Sequence, residues 1–297
     1  MQIVITGLSR SYRGGVRALD DVTLEFGPGM TGLLGANGAG KTTLMQILTG
    51  IVKPTAGTVT VGGHDLAAAT GRRAVKRMLG YLPQELDLYP DLSGREFLDY
   101  VALLKGIDDK PARRRQIDAL LEQVALTEVS RRRVGGYSGG MRRRLGIAQA
   151  LLGDPRLVIV DEPPAGLDPE ERMRFRALLA SLGQDRAVIL STHILDDVAQ
   201  TCPRVAALAA GRLVYDGTTS GMAALAAERT WLITTAGTAP VGEYATVNAT
   251  TTPTGTLYRI VADTPPPGAE PVEPGLEDGY LALMSTARTN AAVGGHR

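Results

Sequence analysis

The stretch GANGAGKTT, residues 35–43, decides the fold of this 297-residue chain. A compact apolar run, residues 30–34, leads directly into it, and a helix is predicted over residues 41–49, closed by Gly50. The stretch matches the pattern GxxxxGK[ST], in which glycines let consecutive backbone amides turn toward one anion. The N-terminus of the following helix adds positive potential at the same place. The sequence therefore predicts a strand, a loop and a helix that together cradle phosphate groups.

The side chains of this loop predict which phosphates it holds. Lys41 is expected to reach the β and γ phosphates of a nucleoside triphosphate, and the hydroxyl of Thr42 is expected to be a ligand for Mg²⁺. The predicted contacts of the triphosphate are Gly35, Asn37, Gly38, Ala39, Gly40, Lys41, Thr42 and Thr43. The alternative, a glycine-rich turn without a ligand, explains the flanking strand and helix poorly.

Two carboxylates follow the apolar run of residues 157–160, which is predicted to be a buried strand. Ligands of parallel sheets bind at the C-terminal ends of the strands, so Asp161 and Glu162 are expected beside the phosphate loop. Asp161 would hold Mg²⁺, directly or through water, and Glu162 would accept a proton from the water that attacks the γ phosphate. His193 ends the next predicted strand, AVILSTH, and is expected at the same edge. The alternative for the acidic pair is that it merely solvates a strand end.

A second anion site is predicted at Ser138, Gly139 and Gly140, which begin a helix that continues through Leu151. Small residues at a helix start expose backbone amides and the positive end of the helix dipole. One chain cannot bring both anion sites onto the same γ phosphate, so this second site indicates a second subunit. A serine-capped helix without a ligand is the alternative.

The order of strand-like and helix-like segments predicts an α/β fold. Residues 1–30 have the pattern of short strands, and residues 85–152 are mostly helical. The later strands are apolar on both faces and alternate with helices, which is typical of a parallel sheet covered on both sides. Past residue 217 the composition shifts to Thr, Ala, Gly and Pro. We therefore expect one domain over residues 1–217 and a small α+β appendage over residues 218–297, with a disordered tail from about residue 289.

Composition and charge restrict the possible partners. Lys and Arg total 32 against 31 acidic residues, so no global positive field favours nucleic acid. The arginine triplets at 113–115, 131–133 and 142–144 are interpreted as solvated helix faces in preference to a nucleic-acid footprint. The longest apolar runs are too short to span a membrane, so a membrane role would require a partner chain. The N-terminus has no signal-peptide pattern, and Cys202 is the single cysteine, which together favour the cytosol.

In this order and spacing the motifs resemble the nucleotide-binding subunit of the ABC ATPases over roughly residues 1–217. The resemblance implies ATP and Mg²⁺ as ligands, ATP hydrolysis, and a P-loop NTPase core with an N-terminal antiparallel β subdomain and a helical subdomain. It also implies that Tyr12 stacks on adenine and that Gln84 ligates Mg²⁺ and senses the membrane subunit. Ser138 would close over the ATP of the opposite subunit, and Asp168 belongs to the loop, residues 165–168, that connects the two sites.

Several residues depart from the family pattern, and others point to one group of proteins within the family. The usual signature is Leu-Ser-Gly-Gly-Gln, and here Tyr137 and Met141 replace its first and last residues. The methionine, followed by the basic run 142–144, resembles bacterial exporters whose ATPase and permease are separate chains. Pro164 stands where small hydroxyl residues are more usual. The segment PGLEDGYL, residues 274–281, resembles the closing helix of C-terminal domains in antibiotic-exporter ATPases, with a generic amphipathic helix start as the alternative.

The resemblance therefore implies the ATP-binding subunit of an exporter, paired head to tail as a homodimer or with a related subunit. It would bind separate transmembrane permease subunits at the cytoplasmic face of the membrane. Translation factors of this superfamily normally carry two cassettes and chromosome-maintenance ATPases carry a long coiled coil, and neither feature is found. An iron-sulfur assembly factor, usually without this appendage, and a non-hydrolysing regulatory module are the remaining alternatives. Glu162 and His193 argue against the last one.

Overall fold

The computed structural model describes residues 1–162, 169–236 and 238–294, with side chains up to residue 286 except that of Pro169. The strands are β1 (Ile3–Ser11), β2 (Arg17–Phe26), β3 (Gly29–Leu34), β4 (Ala56–Val61), β5 (His64–Asp65), β6 (Leu79–Leu82), β7 (Leu157–Asp161), β8 (Ala187–Ser191), β9 (Arg204–Ala209), β10 (Arg212–Thr218), β11 (Thr230–Thr235), β12 (Ala245–Thr252), β13 (Gly255–Val261) and β14 (Glu270–Pro271). The helices are α1 (Lys41–Leu48), α2 (Ala69–Met78), α3 (Gly94–Leu104), α4 (Lys110–Gln123), α5 (Gly139–Leu151), α6 (Pro169–Leu182), α7 (Leu195–Thr201), α8 (Thr219–Ala223) and α9 (Leu276–Gly294).

The central sheet has the strand order β10-β9-β3-β8-β7-β6. Strands β9, β3, β8, β7 and β6 are parallel, and β10 pairs antiparallel with β9 at the edge. Every residue of β7 and β8 is buried, as expected for strands covered on both faces. Because the strands are parallel, the segments that follow β3, β6, β7 and β8 emerge at one edge of the sheet. The predicted α/β fold with a parallel core is confirmed.

The N-terminal strands form a second sheet, in which β1 and β4 pair antiparallel inside the order β2-β1-β4-β5. Inward-facing side chains such as Ile3, Ile5 and Leu24 pack with Leu44 and Leu48 of α1 and with Ile159 of the central sheet. The predicted N-terminal antiparallel subdomain is therefore confirmed, and its core holds α1 between the two sheets.

Helices α3, α4 and α5 form the predicted helical subdomain on the other face of the central sheet. A capping box begins α3, since Ser93 N donates to Glu96 Oε2 at 2.8 Å and Glu96 N donates to Ser93 Oγ at 3.2 Å. Helix α4 begins at Lys110, where the Asp109 carboxylate caps it by accepting the Ala112 amide at 3.1 Å. Local capping chemistry thus sets both helix starts.

The C-terminal residues form an antiparallel sheet, β12-β13-β11-β14, together with α9. Strand β12 was not predicted, because its sequence ATVNATTT lacks the alternating apolar residues of a half-buried strand. Helix α9 packs closely on α8: a Cβ added to Gly279 would lie 1.9 Å from the Met222 carbonyl oxygen. The helix continues to Gly294, into the segment predicted as a tail. The domain boundary after residue 217 stays a prediction.

The interpretation of the arginine triplets as solvated helix faces is wrong in two ways: residues 131–133 are exposed but lie between α4 and α5, outside any helix, and one member of each of the other two triplets is buried. Arg113 and Arg143 are 6% and 7% exposed. Arg113 Nε donates to Asp99 Oδ1 at 2.7 Å, and its Nη1 donates to the carbonyl oxygen of Ile107 at 2.9 Å. A buried guanidinium is tolerated where carboxylate and carbonyl oxygens surround it, and the order of residue types alone does not reveal such partners.

Candidate functional site

A cavity of about 760 Å³ opens at the edge of the central sheet where β3 leads into α1. Residues 35–43 line it, together with Tyr12, Gln84, Glu162 and His193. The tight turn of the loop depends on glycine. A Cβ added to Gly35 would lie only 2.6 Å from the Leu208 carbonyl oxygen, and both Gly35 and Gly40 have positive φ, which glycine adopts without strain. The structure therefore brings the predicted phosphate loop and residues from four separate segments around one space.

Lys41 is held over the loop that precedes it. Its Nζ donates to the carbonyl oxygens of Gly35 and Ala36 at 2.6 and 3.2 Å, and the residue is 6% exposed. Burial lowers the pKa of the amino group, and the nearby carboxylates of Glu162 and Asp161 partly oppose that effect. A cation fixed at the loop can neutralise the charge of phosphate groups bound to the loop amides.

Asp161, the last residue of β7, is buried, with 2% exposure. Its Oδ1 has no hydrogen-bond partner among the described residues. Burial, followed by the charge of Glu162, raises the pKa of this carboxyl to about 6, and Lys41 opposes the rise. An unpaired buried oxygen of this kind is suited to a cation.

Glu162 follows directly and bends the chain out of the strand. It has φ 50, a left-handed conformation that is strained for a residue with a Cβ. Its amide donates to the Ser191 carbonyl at 2.8 Å, which ties it to the end of β8. The carboxylate accepts a hydrogen bond from Gln84 Nε2 at 3.0 Å, and His193 Nδ1 lies 3.7 Å from its other oxygen. Glu162, Gln84 and His193 thus meet at one corner of the cavity.

The sequence analysis did not identify Arg143, which binds the backbone of the segments that carry Gln84 and Glu162. The guanidinium of Arg143, on α5, donates to the carbonyl oxygens of Pro83, Gln84 and Glu162 at 3.3, 2.9 and 2.5 Å. Its sequence neighbours are also arginines, so position in the chain does not distinguish it.

Tyr12 also lines the cavity and is 37% exposed. Its hydroxyl is 3.5 Å from Thr43 Oγ1, and the Arg10 guanidinium carbon lies 4.6 Å from the ring centroid. The ring is therefore fixed beside the end of the phosphate loop, where a planar base attached to bound phosphates could reach it.

Ser138 caps α5, and its hydroxyl accepts the Met141 amide at 3.2 Å. It does not line the cavity, and neither do Gly139 and Gly140. A Cβ added to Gly139 would meet no atom within 4 Å, whereas one on Gly140 would lie 2.9 Å from a Glu171 oxygen. This helix start is thus a separate place on the surface.

The structure shows the surroundings of the two residues that depart from the usual signature, Tyr137 and Met141. Tyr137 is buried and its hydroxyl donates to the Val129 carbonyl at 2.9 Å, so the tyrosine supports the loop that leads into α5. Met141 is half-buried and packs against the core of the helical subdomain. Asp168, its loop 165–168 and Pro164 lie outside the described residues.

The donor set fits Mg²⁺. Thr42 and Gln84 contribute oxygens to the cavity, and Asp161 has an unpaired one. Mg²⁺ prefers oxygen ligands and is commonly bound through one or two carboxylates, retained waters and substrate phosphates. Within the described ranges, no group of three His, Cys, Asp or Glu side chains could hold a metal ion. One buried carboxylate oxygen, that of Asp161, together with the oxygens of Thr42 and Gln84 is consistent with that preference.

A phosphate loop between a parallel strand and a helix, with an acidic pair at the end of β7, defines a P-loop NTPase. A model of the family described as "ABC transporter" matches residues 19–165. The uncharacterized ABC transporter ATP-binding protein YxlF of Bacillus subtilis is 38% identical over 214 residues, covering 72% of this chain and 70% of that protein. The chain belongs to the ABC transporter family and is an ABC-type ATPase.

Further relatives and solved structures agree with this family membership. The daunorubicin resistance ATP-binding protein DrrA3 of Streptomyces coeruleorubidus is 38% identical over 218 residues, covering 73% of this chain and 68% of that protein. A solved ATP-binding subunit of an ABC transporter has TM-score 0.68 and 29% identity, covering 75% of this chain and 92% of that one. The dimeric, ADP- and Pi-bound cassette MJ0796 has TM-score 0.67, covers 73% of this chain and 98% of that one, and at 23% identity shows the shared fold. Across the described ranges, no helix has both the length and the apolar character that crossing a bilayer requires.

Proposed function

We propose that this chain hydrolyses ATP with Glu162 as general base, in a pair of subunits that drives export through a separate membrane permease. The observation that carries the proposal is the Glu162 carboxylate on the cavity wall, hydrogen-bonded to Gln84 and close to His193. The same cavity contains Lys41 and the phosphate loop. A base, a cation and converging amides are the groups that phosphoryl transfer to water needs.

In the proposed reaction, Glu162 takes a proton from a water molecule whose oxygen forms a bond to the γ phosphorus. The bond between that phosphorus and the oxygen bridging to the β phosphate breaks, leaving ADP and inorganic phosphate. Lys41 and the loop amides hold the β and γ phosphates, and His193 orients groups beside the γ phosphate. Thr42, Gln84 and Asp161 would hold Mg²⁺, which when bound supplies positive charge to the phosphate oxygens. Tyr12 stacks on the adenine ring.

The proposed pair forms head to tail, with Ser138, Gly139 and Gly140 of one subunit covering the γ phosphate in the other. Support comes from the separate location of this helix start, outside the chain's own cavity, and from the dimeric form of the MJ0796 cassette. Asp168 is proposed to lie in the loop that connects the two sites. Closure of two subunits around ATP converts binding energy into relative motion.

Export is the proposed direction, and the permease is the proposed partner at the cytoplasmic face of the membrane. The resemblance to a daunorubicin resistance ATP-binding protein supports export, and another similar structure, cbiO1 of Clostridium perfringens, is described as part of an ABC transporter complex. The segment around Gln84, which enters the helical subdomain, is proposed as the contact for the permease. Copurification with a multi-span membrane protein would distinguish transport from iron-sulfur assembly or regulation.

Replacing Glu162 with glutamine tests the central role. Glu162→Gln should leave ATP affinity unchanged and slow phosphate release by about 10²-fold or more, because the amide cannot accept the proton. The same variant should form dimers with ATP in size-exclusion chromatography with light scattering, because the ATP bound between the closed subunits is not hydrolysed. Lys41→Ala is the matched control that should lose nucleotide affinity and therefore dimerisation. Full turnover by Glu162→Gln would remove Glu162 from the role of base.

A further inference from the structure

Arg143 joins parts of the site that are far apart in the sequence. Its Nη1 donates to the carbonyl oxygens of Pro83 and Gln84, and its Nη2 donates to that of Glu162. The first two belong to the segment after β6, and the third to the residue after β7. One guanidinium therefore fixes the spacing of the two segments whose side chains meet at the Gln84–Glu162 hydrogen bond.

Burying this cation is unfavourable for packing alone. Arg143 is 7% exposed, and in the described part of the chain the hydrogen-bonded partners of its terminal nitrogens are backbone carbonyls. Its Nε is buried without a partner there. Burial lowers the pKa of the guanidinium, and the charge of Asp161 opposes the shift. An apolar side chain would fill such a position at lower cost in desolvation, so its donors must serve to hold these carbonyls.

Glu162 is the residue that needs holding. Its φ of 50 is unfavourable for a side chain with a Cβ, and such a conformation persists only where surrounding bonds over-determine it. The amide of Glu162 is bound to Ser191, and its carbonyl is bound to Arg143. With both of its backbone polar groups bound, the direction of the Glu162 side chain is set.

Arg143 also belongs to α5, the helix that Ser138 caps. The guanidinium thus connects the predicted contact with the opposite subunit's nucleotide to the carboxylate in this chain's own cavity. We propose that Arg143 is a positioning residue for hydrolysis: it holds Glu162 in its left-handed conformation and couples it to α5 and to the Gln84 segment. The proposal rests on the proposed role of Glu162 as general base. Arg143 itself does not line the cavity.

The first test separates chemistry from binding. Arg143→Met keeps the length of the side chain but removes its donors, and should lower kcat about 10- to 10²-fold, since misplacing a reacting group by about 1 Å has effects of that size. The affinity for ATP should stay within about twofold, because the phosphate loop is untouched. Arg143→Lys, which keeps one donor group, should recover part of kcat. Arg115→Met, at an exposed arginine on α4, is the matched control and should have wild-type kcat.

The second test asks whether Arg143 acts through Glu162. In the Glu162→Gln background, Arg143→Met should lower the residual turnover by less than about twofold, because effects on one functional unit are not additive. A further drop as large as in the wild type would overturn the proposal. So would an unchanged kcat in Arg143→Met, or a loss of ATP affinity that showed general damage. Full turnover by Glu162→Gln alone would instead refute the role of the base itself.

Discussion

Replacing Asp161 with asparagine should stabilise the nucleotide-free protein and, because it alters a proposed Mg²⁺ ligand, should abolish ATP hydrolysis. Burial and the neighbouring Glu162 raise the pKa of Asp161 to about 6, from its ordinary 3.8. The folded state therefore binds this proton more tightly than the unfolded chain does, so stability falls as pH rises from about 4 to about 6 and stays reduced above that range. The difference between the two pKa values corresponds to ~3 kcal/mol, at ~1.4 kcal/mol per pH unit.

Urea denaturation without nucleotide, in the presence of a chelator, measures this effect. At about pH 7.5 the Asp161→Asn variant should unfold with a free energy ~3 kcal/mol larger than that of the wild type, and the gain should shrink toward zero near pH 4. Asp185→Asn, at an exposed aspartate, is the control and should change stability by less than ~0.5 kcal/mol at either pH. Parallel pH profiles for Asp161→Asn and the wild type, or a loss of stability at neutral pH, would refute the reasoning.

Two further substitutions test the proposed stacking of adenine on Tyr12 and the packing of α9 against α8. Tyr12→Ala should weaken ATP binding by about tenfold in a fluorescence titration, because base stacking contributes ~1–3 kcal/mol, while Tyr12→Phe keeps the ring and should bind normally; equal affinities in all three proteins would exclude stacking. Gly279→Ala places a Cβ 1.9 Å from the Met222 carbonyl oxygen and should cost ~1–3 kcal/mol, detected as faster proteolysis within residues 224–275. Gly27→Ala, where a Cβ meets no atom within 4 Å, should not change proteolysis, and identical cleavage of both variants would contradict the close packing of α8 and α9.

Local chemistry explains why much of the fold could be predicted. The start of α3 depends on Ser93 and Glu96, and the phosphate loop depends on consecutive residues that meet the steric demands of one tight turn. The buried strands β7 and β8 are continuous apolar runs, which the sequence displays directly. In contrast, β12 is rich in threonine and exposed, so its place in the C-terminal sheet depends on pairing with β13, which no local pattern indicates.

The site also has features that the sequence predicts and features that it does not. The sequence predicted which residues reach the sheet edge, because parallel strands deliver their C-terminal ends together. It could not predict the contacts between them, such as the hydrogen bond from Gln84 to Glu162, which spans 78 positions of the chain. Arg143 was concealed for the same reason, since its partners lie 19 to 60 positions away and its sequence neighbours are also arginines.

Gln84 connects the two chemical roles proposed for the cavity. A carboxylate accepts hydrogen bonds and cannot donate them, so the Gln84 amide must turn its nitrogen toward Glu162. Its oxygen then remains available for a cation, and one side chain can contact both the proposed base, Glu162, and a metal ion. The carbonyl of the same residue is bound to Arg143, so a displacement of the segment after β6 would move the Gln84 amide and disturb Glu162 with it. A partner that pushes on this segment could therefore control hydrolysis without touching ATP.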